Sequence, residues 1–120
     1  MKFLIGICLF LLVVFVVPVH SDDTHTGRYL LDACSEAIKE GNKDYLKSGY
    51  CIGYLASSIQ EEQFRREAGI GEATSCMPKE ATLEQVSRIV VKFLEDHPEQ
   101  LPLPSTVLVW MAFAEAWPCK

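Results

Sequence analysis

The sequence predicts an all-α fold, a small disulfide-stapled bundle of about four main helices. Three observations carry that expectation. Apolar residues recur at spacings of three and four through most of the chain, and no segment alternates apolar and polar residues between hairpin turns. The last stretch, Ser105 to Cys119, carries Glu115 as its one charged residue between Val107 and Trp117. An apolar helix with so little polar face is expected to be the one the others wrap. Finally, four cysteines lie beyond residue 21, an even number in a short chain.

The chain opens Met1-Lys2, runs apolar from Phe3 to Val19 and closes Val19-His20-Ser21. One basic residue, an apolar run and small residues before a break read as a secretory signal peptide over 1–21. A retained anchor is the competing reading, and Pro18 with the small-residue site favours cleavage. Residues 22–120 then form one helical domain of 99 residues. Lys2 leaves with the signal, so this domain keeps 10 basic and 16 acidic side chains and a net charge of −6. That sign argues against nucleic acid and against anionic membrane surfaces as partners. Export also makes disulfides the natural use of Cys34, Cys51, Cys76 and Cys119. No Cys-x-x-Cys occurs and neither His25 nor His97 has a ligand-spaced cysteine, so no metal is expected.

Asp22–Gly27 is polar and expected to fray. Helix 1 is expected over Arg28–Lys39, ended by Gly41-Asn42. Helix 2 runs from about Asp44 to Ile59, and the charged residues after it can prolong it until Gly69 and Gly71 break it. Gly49 and Gly53, one turn apart, each cost a helix about 1 kcal/mol, and a close helix contact is the expected compensation. Thr82-Leu-Glu-Gln85 is a capping box that starts helix 3, which ends at Asp96-His97-Pro98. A proline-rich elbow, Glu99–Pro104, leads to helix 4, whose first-turn N–H groups Ser105 and Thr106 can answer. Two antiparallel hairpins, one about Gly41-Asn42 and one about the elbow, predict the bridges Cys34–Cys51 and Cys76–Cys119 out of three pairings the sequence permits.

The residues hold no catalytic constellation. His97 between Asp96 and Glu99 sits at a helix end before a proline and reads as a cap. Ser57-Ser58 have no base nearby in sequence, Gly69-Ile-Gly71 lacks the spacing of a phosphate loop, and the tyrosines and tryptophans read as packing. No catalytic residue and no cofactor is expected.

Cys51-Ile-Gly-Tyr54, Cys76-Met-Pro78, Phe93-Leu-Glu-Asp-His-Pro98 and Ala112 through Ala116-Trp-Pro-Cys119 occur in that order. In order, spacing and cysteine register the chain resembles the Rap/Tai immunity protein family from Leu30 to Cys119. Ser57 stands where that pattern often has glycine, and Trp117 where it has phenylalanine. The resemblance implies a helical, periplasmic, commonly dimeric protein. It would bind a cognate peptidoglycan amidase effector of type VI secretion and occlude its cleft. The expected partner surface is the helix end and loop Glu61–Glu72, with Glu61, Glu62, Arg65, Arg66 and Glu72 as its contacts, and the elbow Glu99–Leu103, with Glu99 and Gln100, comes second. A solvated helix face with i, i+4 pairs is the plainer reading of the same charges. A different class of function is a small exported helical carrier or chaperone for an apolar ligand or unfolded protein, which requires an apolar cavity or much exposed apolar surface.

Overall fold

The computed structural model describes residues 23–120, so the expected signal segment lies outside the described residues. Four α-helices are present among them: α1 (Gly27–Ile38), α2 (Tyr45–Glu67), α3 (Leu83–Asp96) and α4 (Ser105–Ala116). Single 3-10 turns at Asp23–His25 and Pro98–Gln100 flank α1 and α4. The all-α bundle and both bridges, Cys34–Cys51 and Cys76–Cys119, stand as the sequence predicts.

Local chemistry explains the helix ends. Asp44 caps α2 by accepting from the N–H groups of Leu46 and Lys47 at 3.0 and 3.1 Å. The Thr82–Gln85 capping box closes in both directions at the start of α3. His97 ends α3, its N–H donating to the Phe93 carbonyl while its ring stacks on Phe93 at 4.3 Å. Between α1 and α2, Glu36 spans the turn and accepts from the Asp44 N–H at 2.7 Å and from Lys39 at 3.1 Å. The Asp44 bond, then Lys39, hold its carboxyl below the usual carboxylate range. What this bond adds to stability is therefore present above the unfolded pKa and lost as pH falls through the lowered one.

Three expectations fail. The central helix is α1, which packs against α2, α3 and α4, and its Leu30, Ala33 and Cys34 are fully buried. Helix α4 buries Leu108, Val109, Ala112 and Phe113 but leaves Val107 and Met111 exposed and Trp110 half-buried. A bundle this small has too few elements to cover an apolar helix all round. Nor does a helix approach Gly49 or Gly53. Both face outward, with nothing within 4 Å of the space a Cβ would fill. The close approach is at Gly27 instead, where that space is met by Leu108 and by the Leu101 backbone.

Thirdly, the segment before α1 is fastened. Thr26 caps α1 and pairs with Pro104, and the N–H groups of Gly27 and Arg28 donate to the carbonyls of Leu103 and Leu101. Ser105 belongs to this joint, donating to the Thr26 carbonyl at 2.9 Å rather than capping α4. Thr106 Oγ1 likewise meets Tyr54 Oη at 3.0 Å. A tyrosine ladder, Tyr29, Tyr50 and Tyr54, runs along the α1–α2 contact. Helix α2 is the long element. It continues about two turns past Ile59, and that extension carries the candidate surface.

Candidate functional site

The inward stripe of α2 runs Cys51, Leu55, Ser58, Glu62, each buried and spaced by four, three and four. It ends in a carboxylate, because at Glu62 the stripe faces the helix's own returning loop at Thr74 and Ser75. Glu62 is only 3% exposed. Its Oε1 accepts from the N–H groups of Thr74 and Ser75, both at 3.2 Å, and its Oε2 accepts from the Thr74 hydroxyl at 3.0 Å. Glu62 thus faces inward and is withdrawn from the surface that the sequence assigns it to.

The helix closes with a Schellman turn. Gly69 sits at φ +64°, its N–H donates to the Arg66 carbonyl, and the Ile70 N–H donates to the Arg65 carbonyl at 2.9 Å. Glycine is the residue that reaches this left-handed region without strain. Arg65 lies with its guanidinium 5.1 Å from the Trp110 ring centroid and close beneath Gly71. It therefore joins the helix end to α4 as well as carrying charge. After Ser75 the chain is fixed again by Cys76, which bonds to Cys119 and donates its N–H to the Trp117 carbonyl at 2.8 Å.

The result is a ridge: the last turns of α2 and a loop pinned at both ends. Glu61, Arg66 and Glu72 are exposed on it. Phe64 and Ile70 are also exposed, at 62% and 52%. Both lie inside the Glu61–Glu72 stretch expected from the sequence, but neither is among the charged residues expected to make its contacts; two large apolar residues in the most charged stretch of the chain were the available signal. Arg66 also lines an open groove of about 690 Å³ with Gln63, Glu67, Met77, Pro78 and Lys79. The elbow is separate in its bonding. Glu99 is exposed on its 3-10 turn, while Gln100 is half-buried with its side-chain oxygen enclosed. Elbow carbonyls are tied to the start of α1, and no hydrogen bond joins the elbow to the ridge among the described residues.

Among the described residues no three His, Cys, Asp or Glu side chains are grouped to hold a metal, and no helix is long and apolar enough to cross a membrane. What the ridge offers chemically is contact: apolar anchors, charges of both signs and a fixed backbone.

A family model described as Rap1a immunity proteins matches residues 26–119, from the cap of α1 to the last cysteine. No curated protein matches the chain, and no solved structure does.

Proposed function

The chain belongs to the Rap1a immunity proteins, and from that premise we propose that it binds a cognate type VI secretion peptidoglycan amidase effector in the periplasm and occludes its cleft. The toxin-immunity role is the family's; the amidase, the compartment and the mode of blocking are the proposal. The observation that supports this mode is the ridge with its exposed Phe64 and Ile70. A protrusion whose shape is set before contact loses little conformational entropy on binding. Its apolar tips can fill a cleft, and Glu61, Arg66 and Glu72 around them can discriminate one effector from another. The mechanism is obstruction, with no covalent step.

Co-expression in the periplasm tests the reading. The chain should protect cells from one specific amidase and form a stoichiometric complex with it; protection without binding would count against occlusion. Within such a complex, Arg66→Glu should weaken binding by about 1–3 kcal/mol, the range of an interface contact near a hot spot, with the thermal midpoint unchanged. Arg66 suits this test because it is exposed, whereas Arg65 also contacts Trp110. Unchanged affinity in a titration removes this end of α2 from the interface.

A second copy of the chain is the other proposed partner. The outward stripe of α2 reads Leu46, Gly49, Gly53, Ser57, Gln60, Phe64, all exposed. It is bulky at its two ends and small in its middle. Two such helices, antiparallel about a two-fold axis, would set Leu46 against Phe64 of the other copy at each end and bring the backbones together at Gly53 and Ser57. That contact would compensate two helix-interior glycines that nothing in the single chain explains. Gly53→Arg should then sediment as a monomer under conditions where the unaltered chain is a dimer.

A further inference from the structure

We infer that Glu62 is an internal latch and the positioning residue of the ridge: its buried carboxylate fixes the Gly69–Ser75 loop in one shape before any partner arrives. This rests on the ridge reading above for what the loop is for, and on the free molecule alone for what Glu62 does.

The loop has two limbs held by different means. Its outgoing limb is a continuation of the helix, because the Schellman bonds of Gly69 and Ile70 run to carbonyls of α2. Its returning limb has no such ladder, and the N–H groups of Thr74 and Ser75 both end on the Glu62 carboxylate instead. No basic side chain pairs with Glu62 among the described residues. The charge is compensated by two backbone dipoles and one hydroxyl, all supplied by two consecutive residues of the loop. Withdrawing a carboxylate from water is unfavourable unless such charge-assisted bonds replace the hydration. The loop and the carboxylate therefore stabilise each other, and neither is content alone.

Ser75 shows how strongly the arrangement is held. Its side chain is fully buried, and its hydroxyl has no hydrogen-bond partner among the described residues. An unpaired buried hydroxyl is destabilising, so Ser75 is drawn inward by its N–H bond to Glu62 and by the Cys76 bridge that follows, against the preference of its own side chain. Between these fixed limbs the tip, Ile70-Gly-Glu-Ala73, is presented to solvent without bonds of its own to Glu62. A loop latched at its base offers one tip geometry. An unlatched one divides among many, and its apparent affinity falls by the fraction that remains competent.

The test compares the unaltered oxidised chain with Glu62→Ala and Glu62→Gln by residue-resolved amide hydrogen exchange. In Glu62→Ala the Thr74 and Ser75 amides should exchange at least about tenfold faster, while Ile70 on the other limb and Val90 in the core keep their rates. Glutamine retains an oxygen for the two N–H groups and an amide that the Thr74 hydroxyl can face, so Glu62→Gln should recover most of the protection. Unchanged exchange at Thr74 and Ser75 overturns the latch. So does an acceleration that spreads equally to Val90, which would make Glu62 a general fold residue. Against the amidase from which the unaltered chain protects cells, Glu62→Ala should bind about tenfold more weakly and Glu62→Gln within about twofold. A loosened loop with unchanged affinity overturns the positioning role. If the chain protects against no amidase, the ridge reading fails with it, and the exchange result alone then decides the latch.

Discussion

Gly27→Ala is expected to destabilise the domain by about 2 kcal/mol, although alanine is the better helix former. An added Cβ would sit 3.0 Å from the Leu101 carbonyl oxygen and 3.3 Å from the Leu101 Cα, and it would overlap the Leu108 side chain outright. Leu108 is fully buried in α4, so its Cδ1 can turn aside only by displacing core neighbours, and the Leu101 contacts are to backbone, which cannot turn aside. Leu101 is fixed too, because its carbonyl accepts from the Arg28 N–H at 3.1 Å in the same joint. Relief therefore requires α1 to move away from the elbow, stretching the bonds from Gly27 and Arg28 that dock its first turn. Overpacking of this kind costs about 1–3 kcal/mol, and alanine's helix preference returns at most about 1 kcal/mol. The steric overlap outweighs that preference. For a domain of this size the midpoint should fall by roughly 8–16 °C, since each kcal/mol moves it by about 4–8 °C. A scan of Gly27→Ala beside Gly53→Ala makes the contrast internal. The second position is open, so in the monomer alanine there should gain up to about 1 kcal/mol and raise the midpoint where the first lowers it. Equal midpoints for the two variants would mean that the α1–elbow joint is softer than its geometry.

Gly27 also marks what a sequence can and cannot disclose. The Thr82–Gln85 capping box was legible because both of its bonds lie within one turn. The cysteine pairing was legible because Gly41-Asn42 and the proline elbow fix which helix ends meet. The tightness at Gly27 was not, since it is made by Leu101 and Leu108, more than 70 positions away. Helix α4 misled for a related reason. Its composition says that it wants burial on every side, but how many neighbours are available is a property of the whole bundle. Glu62 lay between these cases. It stands four residues after Ser58 on the inward stripe, so continuing the periodicity past Ile59 would have pointed it inward; the charged neighbours Glu61, Arg65 and Arg66 hid that. Phe64 and Ile70 were hidden by the same run, which reads as a solvated face until the loop is seen to fold back under it.

A loss of about 4 kcal/mol is expected from removing the inner bridge. In Cys34→Ala/Cys51→Ala, freeing a loop of 17 residues costs about 3 kcal/mol by chain entropy. Both cysteines are also fully buried in the same core cluster as Leu30, Leu55 and Val90, so each alanine leaves a void where a sulfur was. Two small cavities add roughly 1 kcal/mol or more. The outer bridge closes a longer loop, 43 residues, and entropy alone would rank it higher at about 4 kcal/mol. Its cysteines, however, are exposed, and replacing them opens no cavity. The two effects nearly balance in size, which makes their different consequences the better discriminator. Losing Cys34–Cys51 should lower the denaturation midpoint and loosen the α1–α2 contact, with Thr74 and Ser75 still protected by Glu62. Losing Cys76–Cys119 frees the residue that immediately follows the latch, so it should loosen the ridge and weaken effector binding beyond what its midpoint shift predicts. Brief treatment of the folded chain with a thiol reductant should reach the exposed bridge first and reproduce the second phenotype, leaving the first for reduction in denaturant. If the inner-bridge variant instead matched the unaltered chain in stability, the core would be held by its apolar packing alone and the staple would be dispensable.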